Sequence, residues 1–267
     1  MDYKLSPGTS DLFMVEANKL PVFGDLICDW NPLHRDRSVA KSMGFKDTPV
    51  FAVWIEAKAE EYLRTHNLTE GIEGQPLFYI GHSFKFKEAV YPEQYITFYR
   101  GERKSTASGV EVQVTASNDE GMQVLDSKVI FGAAFPKFEE PSGEITHVRS
   151  CEFSYKEHTD FHNLVEQPVR IGISYAHLAS NIPAALLEKA FLQTNEEKPA
   201  LTRGIDLKFH GTPICEVDMR TEIYLSPKAK NLGALGWLYN VVGVCYQREK
   251  AMLTGEMRVI YPTKLTI

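Results

Sequence analysis

The sequence predicts an α+β protein built on one plan used twice, each half a long helix laid across a curved antiparallel sheet. Three observations predict it. Two long stretches carry apolar residues at helical spacing, runs of apolar/polar alternation follow each of them, and a segment bearing prolines and a glycine separates the two sets.

In chain order, Ala52 to Arg64 holds Ala52, Ile55, Ala59, Tyr62 and Leu63 at helical spacing, with charge expected on the other face. Phe84 and Phe86 then alternate with Lys85 and Lys87, and Val110, Val112 and Val114 with Glu111, Gln113 and Thr115, the pattern of half-buried strands. A turn at Asn118-Asp119-Glu120-Gly121 leads into a further strand, Val124 to Phe131. Phe135 to Glu144 reads as the linker, dividing the chain into 1–135, a connection over 136–150, and 151–267. In the second half the helical stretch runs from Ile173 to Leu192. Pro183 either kinks that helix or falls in its first turn, with a start near Asn181. Leu207-Lys208-Phe209-His210 echoes Phe84-Lys85-Phe86-Lys87, and Arg258-Val259-Ile260-Tyr261 echoes Lys128-Val129-Ile130-Phe131. The matched order favours duplication over coincidence.

The formal net charge of -6, from 29 Lys and Arg against 35 Asp and Glu, argues against nucleic acid as the main partner, because phosphate binding needs a concentrated basic surface. Met1 to Pro7 has no apolar core of signal-peptide length, and no segment approaches the ~20 apolar residues of a membrane helix. The expectation is a cytoplasmic protein without a membrane partner. Cys28, Cys151, Cys215 and Cys245 lack zinc-ligand spacing and are expected as free thiols, with no metal; Cys28 reads as a small apolar residue.

The most informative residues are Asp29-Trp30-Asn31-Pro32-Leu33-His34. Proline lacks the N–H and holds its predecessor extended, so this segment is a tight turn with a carboxylate at one end and an imidazole at the other. Such a turn lets both groups converge on a single water, the requirement of general acid–base chemistry. Asp36 is expected to cap a short helix over Arg37 to Met43, closed by Gly44.

The series Asp29-x-Asn31-Pro32-x-His34-x-Asp36, then Ala40 and Gly44-Phe45, resembles the hydratase motif of the MaoC-like (R)-specific enoyl-CoA hydratases and dehydratases. The duplicated helix-on-sheet plan is likewise similar to a double hot-dog. The resemblance implies that Asp29 and His34 hold the water that adds across the Cα=Cβ bond of an enoyl thioester, with Asp29 as general acid/base and His34 polarising the water. It implies that Asn31 fixes the turn or bonds the reacting groups. Backbone N–H groups of Val53 and Trp54, where the first central helix begins, would stabilise the thioester oxyanion. The substrate would be an acyl-CoA or acyl carrier protein thioester in a tunnel between the halves, with no cofactor beyond coenzyme A or phosphopantetheine, in a monomer or homodimer serving fatty acid metabolism. Two places depart from the motif: Ile27-Cys28 stand where Ser-Gly is usual, and Ala52-Val53 where His-Gly is usual, so a side chain crowds the approach to the backbone.

Lys85, Lys87, Arg100 and Arg103 are candidates for the carrier's phosphates or, singly, members of a solvated sheet face. Trp54, Tyr62, Phe78 and Tyr79 are candidates to close the tunnel, or plain core. The second half lacks the motif. Its nearest echo, Glu157-His158-Thr159-Asp160-Phe161-His162, reads first as a solvated polar strand end. An altered second site from Glu157 and His162, or a metal set from His158, Asp160 and His162, are the alternatives. Beside the hydro-lyase stand two other functions: a thioesterase using Asp29 or Glu157, and a non-catalytic acyl-thioester binder or scaffold subunit.

Overall fold

The computed structural model describes residues 12–65, 77–107, 109–166 and 174–265. Met1 to Pro7 and Ile173 lie outside the described residues. The first half contains strand β1 (Leu12–Met14), helix α1 (Lys19–Leu26), a 3-10 turn over Pro32–His34, α2 (Arg37–Ser42), α3 (Ala52–Thr65), and strands β2 (Phe78–Phe86), β3 (Tyr95–Thr106), β4 (Gly109–Asn118) and β5 (Gln123–Gly132). The second contains β6 (Ile145–Phe153), α4 (Tyr155–Leu164), α5 (Tyr175–Ala179), α6 (Asn181–Thr194), β7 (Leu201–Phe209), β8 (Val217–Leu225), β9 (Lys230–Asn231), β10 (Trp237–Gln247) and β11 (Lys250–Tyr261).

The strands form one 11-stranded antiparallel sheet in the order β1-β3-β4-β5-β2-β7-β11-β10-β8-β6, with β9 added on β10. The two predicted sheets are thus fused edge to edge where β2 pairs with β7. Outward from that seam, β5 matches β11, β4 matches β10, β3 matches β8 and β1 matches β6. The sequence echoes fall on matched strands: Phe84-Lys85-Phe86 in β2 against Leu207-Lys208-Phe209 in β7, and Val129-Ile130-Phe131 in β5 against Val259-Ile260-Tyr261 in β11. Helices α3 and α6 are the matched central helices.

Helix α3 is buried nearly all round, so its charge does not segregate to an outer face as expected: Glu56 and Glu60 are buried with Ile55, Ala59 and Leu63. Helix α6 begins at Asn181 with Pro183 in its first turn, where a missing N–H breaks no helical bond. It lies close on the sheet because Gly243 and Gly255, paired across β10 and β11, leave the room that Ile182 fills; a Cβ at either position would overlap that side chain.

Three expectations are corrected. The connection between the halves is shorter than 136–150, because β6 already begins at Ile145 and pairs with β8. The segments before the central helices, which the sequence pattern reads as irregular, are helical, as α1 and α4. Residues 157–162 are therefore no strand end. Ser154 and Glu157 form a reciprocal capping box at the start of α4, and His158, Phe161 and His162 turn inward at i, i+3 and i+4.

Candidate active site

The Asp29 turn is assembled by two successive side-chain caps. One carboxylate oxygen of Asp29, Oδ1, accepts the Asn31 N–H at 3.0 Å, and Asn31 Oδ1 accepts the Leu33 N–H at 3.1 Å as N-cap of the 3-10 turn, with Pro32 at its first position. The Asp29 N–H donates to Gly24 O at 2.9 Å. Gly24 matters here because a Cβ would sit 2.7 Å from Phe51 Cζ and 2.8 Å from Arg35 Nη2, the guanidinium that donates to Asp29 O and Asp25. Cys28, at positive φ and half-buried, makes the corner. Downstream, Asp36 caps α2 through the Ser38 and Val39 N–H groups, and Gly44 at φ 88 follows its end, as predicted.

Asn31 does more than shape the turn. Its Nδ2 donates to Ala200 O at 2.7 Å and its Oδ1 accepts the Ala200 N–H at 3.2 Å, so it pairs with the backbone just ahead of β7, 169 residues away. Of the two roles the sequence left open for Asn31, the coordinates place its polar atoms on the backbone.

His34 is held by Pro49 O, 2.8 Å from Nδ1, with its ring 4.3 Å from that of Phe51. A carbonyl oxygen can only accept, so Nδ1 carries the hydrogen and Nε2 presents its lone pair. Burial pushes the His34 pKa below the usual imidazole value, opposed by the Asp29 charge and the Pro49 bond and assisted by Arg35, which keeps the ring neutral at pH 7.

Asp29, Asn31 and His34 share the wall of a cavity of about 420 Å³ between the halves. Phe84 and Phe86 of β2 form one side, and Pro183 and Leu186 of α6 with Met257 of β11 form another. The opening of α3 faces it through Ala52 and Val53, so the Val53 N–H lies at a helix N-terminus beside the cavity. Trp54 does not join it: its N–H donates to Phe51 O at 3.1 Å, and its indole packs on Phe23 with ring centroids 4.6 Å apart.

Of the four basic candidates, Lys87 reaches the cavity wall, beside Asp126 at 3.7 Å. Lys85 points to solvent on β2. Arg100 and Arg103 lie on β3, which β4 and β5 separate from β2, and neither lines the cavity. Tyr62, Phe78 and Tyr79 also stand off the cavity: Tyr62 stacks on Phe98, Phe78 meets Phe135, and Tyr79 stacks on Phe209. Glu157 belongs to its cap and Asp160 pairs with Lys156 on the outer face, while His162 is buried on the opposite side of α4, so no second Glu/His site forms. No group of three or more metal-ligating side chains is placed to hold an ion among the described residues.

Sequence reasoning missed Pro49, Ala200 and Glu56. Glu56 had a signal: at 100° per residue it falls at the edge of the stripe set by Ala52, Ile55, Ala59 and Leu63, about 20° beyond Leu63.

This arrangement, two matched helix-on-sheet halves fused through one strand pair, is a double hot-dog fold. It is the fold of the MaoC-like dehydratases, shared over nearly the whole chain. A protein described as a MaoC domain dehydratase from Chloroflexus aurantiacus J-10-fl superposes with a TM-score of 0.72 at 10% identity, covering 97% of this chain and 96% of that one. A Mycobacterium tuberculosis protein described as having a double hotdog fold gives 0.71 at 9% identity, over 96% and 97%. An acyl-ACP thioesterase from Bacteroides thetaiotaomicron gives 0.54 at 8% identity, over 95% and 97%. No family model and no curated protein matches the sequence. No helix among the described residues is long and apolar enough to cross a membrane.

Proposed function

We propose that the chain is a hydro-lyase that adds water to, or removes it from, the Cα=Cβ bond of an acyl thioester. The observation that carries this reading is the pairing of a carboxylate and a neutral imidazole, with its Nε2 lone pair available, on the wall of an apolar cavity that ends at a helix N-terminus.

In the hydration direction the water sits between Asp29 and His34. His34 Nε2 accepts one of its hydrogens and orients it. Asp29, with Oδ1 held by the Asn31 N–H, takes the other proton through Oδ2 as the water oxygen bonds to Cβ. Electron density moves through Cα to the thioester oxygen, where the Val53 N–H and the end of the α3 dipole stabilise it. Asp29 then returns its proton to Cα, which collapses the enolate and restores the carboxylate. The low pKa of His34 suits this role, since a protonated ring would offer the water no acceptor. Asn31 is a positioning residue. Lys87 is placed to meet the carrier, coenzyme A or a phosphopantetheine arm, and the reaction calls for no other cofactor.

Hydration of 2-enoyl-CoAs of graded length tests the reading. Asp29→Asn and His34→Ala are each expected to lower kcat/KM by roughly 10²- to 10⁴-fold while far-UV circular dichroism stays unchanged. Full activity in either variant overturns it. Saturated acyl-CoAs run in parallel distinguish the related chemistry, since free thiol released from a chain without a double bond marks a thioesterase.

A further inference from the structure

The chemistry above leaves one buried ionisable group on the cavity wall without a role. Glu56 is 3% exposed and lines the cavity one helical turn beyond Ala52, among Ile55, Phe84, Ala179 and Met257. Its neighbour on the next turn, Glu60, is satisfied: Oε2 accepts from Ser174 Oγ at 2.9 Å and from the Ala176 N–H at 3.3 Å. Glu56 has no side-chain hydrogen bond among the described residues. Its polar neighbour is His82, whose Nδ1 stands 3.9 Å from Oε1, beyond hydrogen-bond reach, and is already bonded to Tyr79 Oη at 2.6 Å. Burial, with the Glu60 charge adding to it, raises the Glu56 pKa well above its ordinary value and so favours the carboxylic acid, which has one O–H donor and a carbonyl acceptor. An uncharged donor–acceptor pair set among Ile55, Phe84, Ala179 and Met257 is unfavourable unless the ligand completes it.

The helix gives the distance along the ligand. From Val53, beside the thioester oxygen, to Glu56 the axis rises about 4.5 Å, close to the length of three or four carbon–carbon bonds. Counted from the thioester carbonyl carbon C1, that places Glu56 beside an acyl chain at about C4 to C5.

Resting on the hydro-lyase reading for where the thioester lies, we propose that Glu56 is a specificity-determining residue selecting acyl chains that carry an uncharged in-chain oxygen, a hydroxyl, one or two carbons beyond the reacting double bond. A plain hydrocarbon strands the acid, whereas a hydroxyl both donates to its carbonyl and accepts its proton.

The test compares 2-enoyl-CoAs of equal length, with and without a hydroxyl placed at about C4 to C5, on the wild-type chain, Glu56→Gln and Glu56→Leu. It reads kcat/KM together with equilibrium binding of the corresponding saturated acyl-CoAs. The wild type is expected to favour the best-placed hydroxyl by ~10-fold or more in both readouts. Glu56→Gln, which keeps a donor and an acceptor, retains most of that preference, and Glu56→Leu abolishes or reverses it. Equal treatment of the two chains by the wild type, or a preference that survives in Glu56→Leu, overturns the proposal. Binding preference without turnover supports it while refuting the hydro-lyase reading, and turnover without preference does the reverse.

Discussion

Replacing Asn31 by alanine removes a link between the halves and separates two meanings of a motif residue. The variant strands the Leu33 N–H, the Ala200 N–H and the Ala200 carbonyl, all three of which Asn31 satisfies and none of which has an obvious substitute in the turn. Ala200 is 9% exposed, so its backbone groups do not regain bulk water. At about 1 kcal/mol for each stranded group, the low end for buried donors and acceptors, the loss is about 3 kcal/mol. For a chain of this size that corresponds to a fall in Tm of about 6 to 12 °C. Urea unfolding followed by tryptophan fluorescence reads it as a lower midpoint at unchanged slope. Asn31→Asp is the control: it keeps the acceptor for Leu33 and Ala200 but sets a carboxylate oxygen against the Ala200 carbonyl, so it is expected to be no more stable than the alanine variant. A loss below about 0.5 kcal/mol for Asn31→Ala would refute the assignment of Asn31 as a clamp.

Two pH effects follow from the same structure. The acidic limb of kcat/KM is expected below the ordinary imidazole value, and NMR titration should show the His34 pKa falling further in Asp29→Asn, because the Asp29 charge opposes the effect of burial; an upward shift would contradict it. For stability, burial takes His82 down to about 3 and His177 well below the usual value, so both are neutral in the native state where the unfolded chain would take a proton. Their contribution is complete above about pH 6.5 and declines as pH falls towards the native pKa, by ~1.4 kcal/mol per pH unit for each ring. Acid unfolding of His82→Phe should be shallower by about that slope for one ring, and an unchanged slope would count against it.

The local chemistry of the site was legible in the sequence because it is local. Asp29, Asn31 and Asp36 accept N–H groups two or three residues away and Pro32 fixes the bend between them, so their spacing implies the tight turn and the capped short helix. The start of α6 was legible for the same reason, through Pro183. What stayed hidden depends on distant pairing. Nothing near Asn31 announces Ala200, and Arg100 and Arg103 could be sorted from Lys87 only by strand order. Helix α1 carries Pro21 and Gly24, both poor helix formers, but Pro21 falls in the first turn, where no N–H is needed, and Gly24 makes room for Phe51 and Arg35. Helix α4 was masked by polarity: its inward face is largely histidine, which counts as polar in any periodicity argument although the rings are buried.

The two halves match in topology but not in what they offer a ligand, and the ends of the central helices explain the difference. The opening of α3 presents Ala52 and Val53 to the cavity, leaving backbone donors beside it. The opening of α6 is closed by its own side chains. Asn181 is buried, its Oδ1 accepts from Arg149 Nη1 at 2.8 Å and from Cys151 Sγ at 3.2 Å, and its Nδ2 donates to Leu178 O at 3.2 Å. Pro183, in the same turn, has no N–H to give and meets the cavity with its ring. The second half is thereby an apolar wall and an anchor: Pro183 and Leu186 line the chamber, and the backbone at Ala200 holds the Asp29 turn of the first half in place. Of the two matched helix ends, one is filled by Asn181 and Pro183, so among the described residues it is the α3 opening that offers backbone donors to the cavity, and on the proposed reading that is where charge developing on a thioester oxygen is met.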